Sequence, residues 1–217
     1  MNIRKKLDRI CKDRKPIYFP VYNVNSTPRW EYKGELWPTI LVEYTSIPKT
    51  GFMDLRVHYK RDNTIIMCES GGLVAHPNHP HSQGELMVKQ FKCDPDIILT
   101  LDYPLKRLPE QKGYCEKCGD IHPLRSYCHH CTGKKASKIV EELPENMWKQ
   151  RVDKTVENAE YAMKWKEYFQ ETYSWNFELM GIIQGYDKDS ILECAEKLRD
   201  LGYEFYAFGP GGESASK

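Results

Sequence analysis

Four apolar runs, each closing on a polar residue or a glycine, set the tightest limit on how this chain can fold. The first is Ile65-Ile66-Met67-Cys68, which runs into Glu69-Ser70-Gly71-Gly72. Ile97 to Leu101 ends in Asp102, Gly181 to Ile183 ends in Gln184-Gly185, and Tyr206-Ala207-Phe208 ends in Gly209. These runs do not alternate apolar with polar residues, and a strand apolar at successive positions is one covered on both faces. Covered strands separated by helix-period segments predict a parallel α/β sheet. In such sheets the C-terminal strand ends share one face, where these folds carry their chemistry.

The 217 residues suffice for one α/β core or two small domains. A formal charge of +1 excludes a strongly basic nucleic-acid binder by bulk charge, while local patches remain able to hold phosphate. The basic segment 1–16 has no apolar run and so is not a secretory signal. No stretch approaches the roughly 20 apolar residues of a membrane helix. The expectation is a soluble protein with no membrane partner.

Taken in order, residues 1–16 predict a short lead, one helix built on Ile3, Leu7 and Ile10 and ended by Pro16. Ile17–Tyr22 is β-rich but broken by Pro20, which places it at an edge or a barrel entrance. Residues 23–37 read as loop, and Thr39–Thr45 as a buried strand. Gly84–Cys93 predicts a helix stopped by Asp94-Pro95. Residues 103–149 break the rhythm and read as an insertion. A helix over 151–173, a strand over 177–183, a helix opened by a Ser190-x-x-Glu193 capping box and stopped by Gly202, and a last strand at 203–208 complete the chain.

Four of the eight cysteines form Cys115-x-x-Cys118 and Cys128-x-x-Cys131, with nine residues between the pairs. Two such knuckles supply four thiolates for a tetrahedral structural zinc, and four protein ligands leave no open catalytic position. His122, His129 and His130 lie among them as substitutes. The functional alternative is a nucleic-acid contact through Lys117, Arg125, Lys134, Lys135 and Lys138; the plain one is a metal staple for a loop with little core. The other four cysteines are scattered, which points to a reducing, cytoplasmic compartment rather than a disulfide framework.

The strand-end set, in order and at βα spacing, resembles the tRNA-guanine transglycosylase family, base-exchange enzymes that insert 7-deazaguanines into tRNA, with relatives that act on DNA. The resemblance covers about residues 17–212 and implies a (β/α)8 barrel, incomplete here at about six βα units. It implies base-binding roles for Ser70, Gly71, Gly72, Asp102, Gln184, Gly185, Gly209 and Gly211, with Glu69 as base-side carboxylate and proton relay. Arg151, Thr155 and Asn158 are similar to the family helix that precedes the Gly-Ile-x-Gln-Gly signature, present here as Gly181 to Gly185. A carboxylate can accept the N1–H and exocyclic amine of guanine as a bidentate pair, and an amide can donate to its O6. Glu69 stands where the family has aspartate, Leu73 where it has a stacking aromatic, Val74 where it has glutamine, and Pro210 where it has a second glycine. The family's nucleophilic aspartate and its own zinc site lie on segments beyond Lys217, so the cluster at 115–131 is a different, inserted site.

The expectations are therefore a partial barrel over 17–217 behind the lead at 1–16, with an inserted zinc module at 103–149. Its partners are a nucleic acid (tRNA or DNA) and a guanine or 7-deazaguanine base, with homo- or hetero-oligomers possible. The chain is either part of a longer enzyme or a short accessory, nucleic-acid-binding subunit that does not perform the exchange. A third reading is an unrelated barrel enzyme whose Gly209-Pro210-Gly211-Gly212 turn cradles phosphate.

Overall fold

The computed structural model describes residues 3–10, 19, 21–22, 31–32, 35–36, 39–48, 50–52, 64–71, 83–103, 112–114, 121–123 and 145–209. In chain order the elements are α1 (Ile3–Ile10), β1 (Val21–Tyr22), β2 (Glu31–Tyr32), β3 (Glu35–Leu36), β4 (Thr39–Val42), a 3₁₀ turn at Tyr44–Ser46 and β5 (Ile65–Cys68). There follow α2 (Gln83–Phe91), β6 (Ile97–Leu99), β7 (Lys112–Tyr114), β8 (Ile121–Pro123), α3 (Glu145–Tyr173), β9 (Glu178–Ile183), α4 (Lys188–Asp200) and β10 (Phe205–Phe208). The chain divides into two compact units: residues 1–71, 82–100 and 161–180 in one, and residues 72–81, 101–160 and 181–217 in the other. Both α3 and β9 begin in one unit and end in the other.

The first unit is built on a parallel sheet. Strand β1 pairs with β4, β4 with β5, β5 with β6, and β6 with the start of β9, every pair parallel. The order is sequential along the chain apart from the small antiparallel hairpin β2–β3. Side chains alternate between the two faces with the period of two that a strand imposes. Ile40, Val42, Ile66 and Cys68 fill one face with Ile47 and Cys93. Ile65, Met67 and Ile97 fill the other with Ile3 of α1, and Leu7, Phe19, Leu41, Leu99 and Met180 pack around them. All four residues of β5 are buried, which is why its sequence shows no alternation.

The segment read as a basic lead is thus part of this core. Lys6 on α1 is buried, pairs with Asp96 Oδ1 at 2.9 Å and reaches the Thr64 carbonyl at 3.5 Å. The other Asp96 oxygen accepts the Ile66 N–H at 2.9 Å. Those contacts fasten α1 across the N-terminal ends of β5 and β6. An aromatic cluster packs Phe91 of α2 against Phe169 and Tyr173 of α3 and against Trp175, with the Phe177 and Trp175 rings tilted at 35° and their centroids 4.0 Å apart.

In the second unit, β10 lies beside β9, and the pairing continues past it through the Gly209 N–H to the Ile183 carbonyl at 3.0 Å. Helix α4 covers the end of β9 with Cys194 and Leu198. The hairpin β7–β8 brackets Cys115 and Cys118 in sequence, and all four knuckle cysteines lie outside the described residues.

Several sequence expectations shift. The capping box of α4 is Asp187-x-x-Ser190, three residues before the one predicted: the Asp187 carboxylate takes the Ser190 N–H at 2.7 Å and the Ser190 hydroxyl takes the Asp187 N–H. Asp187 is the first short polar residue after the strand turns, so it caps before Ser190 can, and Glu193 instead pairs with Lys197 one turn on. The most buried face of α4 accordingly runs through Ser190, Cys194 and Leu198, with Ile191, Ala195 and Leu201 at its flanks. Helix α3 starts at Glu145, inside the span read as insertion, and the 23–37 span read as loop holds β2 and β3. Strand β4 stops at Val42, where the 3₁₀ turn takes Tyr44 out of the extended path. Among the described residues no helix is long and apolar enough to cross a membrane.

Candidate functional site

The second unit gathers Asp102, Gln184, Thr155 and Gly209 into one buried polar cluster. Asp102 follows the buried Leu101, and its flanking peptide groups are held from α3. Asn158 Nδ2 donates to the Leu101 carbonyl at 3.2 Å, and the Tyr103 N–H donates to Thr155 Oγ1 at 3.2 Å. Residues 151, 155 and 158 lie on one face of a helix, so a single face of α3 grips the backbone on both sides of the aspartate. Arg151, at the head of that face, is 6 % exposed, and burial lowers its guanidinium pKa to about 10.

Gln184 terminates β9. Its Nε2 donates to Asp102 Oδ2 at 2.7 Å, the short distance of a charge-assisted bond. Its Oε1 faces the Thr155 hydroxyl at 3.2 Å. That hydroxyl also lies 2.9 Å from the Arg151 carbonyl, so its one proton is shared between the two acceptors. Asp102 is 4 % exposed, Gln184 3 % and Thr155 fully buried. Sequence reasoning cast Asp102 and Gln184 as separate contacts to a base; the structure ties them to each other.

Two glycines of the predicted set, and Gly181 of the same signature, are explained by close approach. A Cβ on Gly209 would sit 2.7 Å from Gln184 Cγ and Nε2, so the bare backbone of residue 209 is the wall against which the amide lies. A Cβ on Gly185 would meet the Ile191 backbone nitrogen at 2.5 Å, where α4 crosses the end of β9. Gly181 is tight against Tyr203 and Leu198. Behind Gln184, Cys194 Sγ accepts the Gln184 N–H at 3.5 Å, and burial pushes its thiol pKa up. The Tyr203 hydroxyl donates to the Ala159 carbonyl at 2.7 Å, and burial raises the phenol pKa strongly.

Glu69, Ser70 and Gly71 belong to the first unit. The Glu69 N–H extends the ladder to the Val42 carbonyl at 3.0 Å, and its Oε2 accepts the Tyr44 N–H at 3.4 Å. Gln90 Nε2 bridges the Glu69 and Leu99 carbonyls at 3.0 and 3.3 Å, joining the ends of β5 and β6. Gly71 has φ +70° and would drive a Cβ to 2.6 Å from Tyr44 Cγ, so the turn requires glycine twice over. Tyr44 is clasped from outside by Lys89, whose Nζ stands 3.6 Å from the ring centroid. Burial, then the Glu85 charge, raises the Tyr44 phenol pKa. Gly72, Gly211 and the cysteines Cys115, Cys118, Cys128 and Cys131 lie outside the described residues.

Sequence reasoning missed Tyr44, Gln90 and Cys194. Tyr44 was absorbed into the strand pattern of 39–45. Gln90 sits within an apolar helix stretch, and a polar residue at a core-facing helix position was the one signal that could have found it. Compared with known families and with curated proteins, the chain matches no family model and no curated sequence.

Proposed function

We propose that the Asp102–Gln184 pair recognises the amidine edge of a guanine-type base, and that the protein serves exchange of guanine for a 7-deazaguanine in a nucleic acid. The carrying observation is the 2.7 Å bond from Gln184 Nε2 to Asp102 Oδ2 inside a cluster that fixes both groups. A carboxylate so held presents its acceptors in one plane, which suits the paired N1–H and N2–H donors of guanine. Thr155 and Asn158 act as positioning residues, because they hold the peptide groups around the carboxylate and not the carboxylate itself. Gly209 sets how closely the Gln184 amide can lie.

The sequential strand order of the first unit supports a barrel-type wind, since a doubly wound sheet reverses its order at a switch point. The hairpin β7–β8 supports the knuckle reading of Cys115 and Cys118, which with Cys128 and Cys131 would hold a structural zinc. Zinc there would supply rigidity alone. Glu69, Ser70, Gly71, Gly72, Gly185 and Gly211 keep the base-side roles that the resemblance implies.

Base exchange breaks the C1′–N9 bond of the outgoing guanine and forms a C1′–N9 bond to the incoming base. The outgoing base gains the proton that the incoming one loses, so the exchange needs neither water nor oxidant. A carboxylate nucleophile would carry the sugar between the two steps. The target base must leave its stack to be read by Asp102.

A second reading follows from the same burial. At 4 % and 3 % exposure, Asp102 and Gln184 also suit an internal strut in a non-catalytic, nucleic-acid-binding subunit. Radiolabelled guanine offered with tRNA and with duplex DNA separates the two. Incorporation of label that Asp102→Asn abolishes supports exchange. Absence of both incorporation and guanine binding, with the polymer still bound, supports the subunit.

A further inference from the structure

Gln90 is a polar residue at a core-facing position of α2. It lies one helical turn beyond Leu86 and Met87, shares their buried face and is itself fully buried. Its Nε2 gives both protons to backbone carbonyls, Glu69 at 3.0 Å and Leu99 at 3.3 Å. Its Oε1 has no hydrogen-bond partner among the described residues. An apolar side chain there would avoid the unmatched oxygen and would leave the two carbonyls unmatched instead.

Those carbonyls stand where the sheet changes partners. The register of β5 on β6 runs to Cys68 and Ile98. Beyond it the Glu69 N–H stays with β4, on the Val42 carbonyl at 3.0 Å, while the Thr100 N–H goes to β9, on the Met180 carbonyl at 3.1 Å. The Leu99 carbonyl and the Thr100 N–H belong to one peptide group, so Gln90 holds one side of that group and β9 the other. The Glu69–Ser70 peptide is held from α2 by the same amide. Tyr44 closes the turn from the end of β4, with its N–H on Glu69 Oε2 and its ring against Gly71.

We propose that Gln90 is a positioning residue for the Glu69–Gly71 turn, setting the direction in which β5 releases Glu69 and Ser70 toward a base. The inference rests on the base-side roles proposed above for those residues. Gln90 acts through the backbone and does not touch the ligand. A turn already ordered binds without the cost of ordering it, so loss of the amide is read in ligand affinity as well as in stability.

The test uses the full chain with Gln90→Met, which keeps the length of the side chain and removes both donors. Ile65→Val, at the far end of β5, is the control: it costs stability of similar size and leaves the amide in place. Amide hydrogen exchange and calorimetric titration of guanine are both run well below the melting temperatures. In Gln90→Met the Ser70 and Thr100 amides should exchange about 2- to 13-fold faster for each hydrogen bond lost, with the β4–β5 ladder unchanged. Guanine affinity should fall by at least about 2-fold. Ile65→Val should change neither. Unaltered exchange at Ser70 and Thr100 in folded Gln90→Met overturns the inference, as does guanine affinity equal to wild type. A wild type that binds no guanine removes the base reading, and the exchange rates alone then decide whether Gln90 fixes the turn.

Discussion

Gly209→Ala is the sharpest probe of the Asp102–Gln184 cluster, because the sign of its effect depends on one contact. The φ of residue 209 lies outside the positive range that disfavours side chains, so alanine is compatible with its backbone. With open space above it, the substitution would stabilise the protein by about 0.4–1 kcal/mol through the unfolded chain. The added Cβ instead lands 2.7 Å from Gln184 Cγ and Nε2 and 3.1 Å from Cδ. Ordinary carbon contacts begin near 3.5 Å, so the amide must retreat by most of an ångström. A retreat of that size breaks the 2.7 Å bond to Asp102. Losing a hydrogen bond to a charged group costs about 1.5–3 kcal/mol, and forcing an extra methyl into a packed site costs about 1–3 kcal/mol. Less the chain-entropy gain, the net loss is about 2–5 kcal/mol. Urea melts of wild type, Gly209→Ala, Gln184→Ala and the double variant measure it as a cycle. With Gln184 trimmed to alanine, Gly209→Ala should cost nothing further or stabilise slightly. A full cost that persists in the Gln184→Ala background would refute the contact as the cause.

Three further outcomes are expected. Lys6→Ala leaves Asp96 buried without its 2.9 Å ammonium and should cost about 3–5 kcal/mol in the same melts. The buried Tyr203 phenol keeps its proton in the folded state to a higher pH than in the unfolded chain. Stability is therefore whole below the unfolded phenol pKa of about 10 and falls above it by up to about 1.4 kcal/mol per pH unit from this group; Tyr203→Phe should remove that part of the slope. Metal analysis should find one zinc per chain bound through Cys115, Cys118, Cys128 and Cys131, and chelation should lower ellipticity from the 103–149 segment while sparing the melting of the parallel sheet.

The parallel sheet was legible because burial on both faces leaves a mark in the sequence: Ile65 to Cys68 cannot be read as a half-exposed strand. Asp102 and Gln184 were legible as strand-end polar residues, and their meeting followed from parallel topology. Their bond to each other was not, since no pattern along the chain distinguishes an amide that faces a ligand from one that faces a neighbour. The capping box went to Asp187 because both Asp187 and Ser190 open a plausible turn, and which is first to cap depends on where β9 releases the backbone. The fastening of α1 was hidden as well. Lys6 and Asp96 are 90 residues apart, and a lysine in a basic segment gives no hint that it is buried. Nor does the sequence around Gly209 show that the Gln184 side chain lies against it.

Calorimetric titration of guanine into the wild-type chain and Asp102→Asn, with thermal melting of both, bears most directly on the proposed recognition. Binding by the wild type and its loss in a variant that melts cooperatively are the expected results. Equal affinity in the two, or a wild type that takes up no guanine, would contradict the assignment of Asp102 to a base.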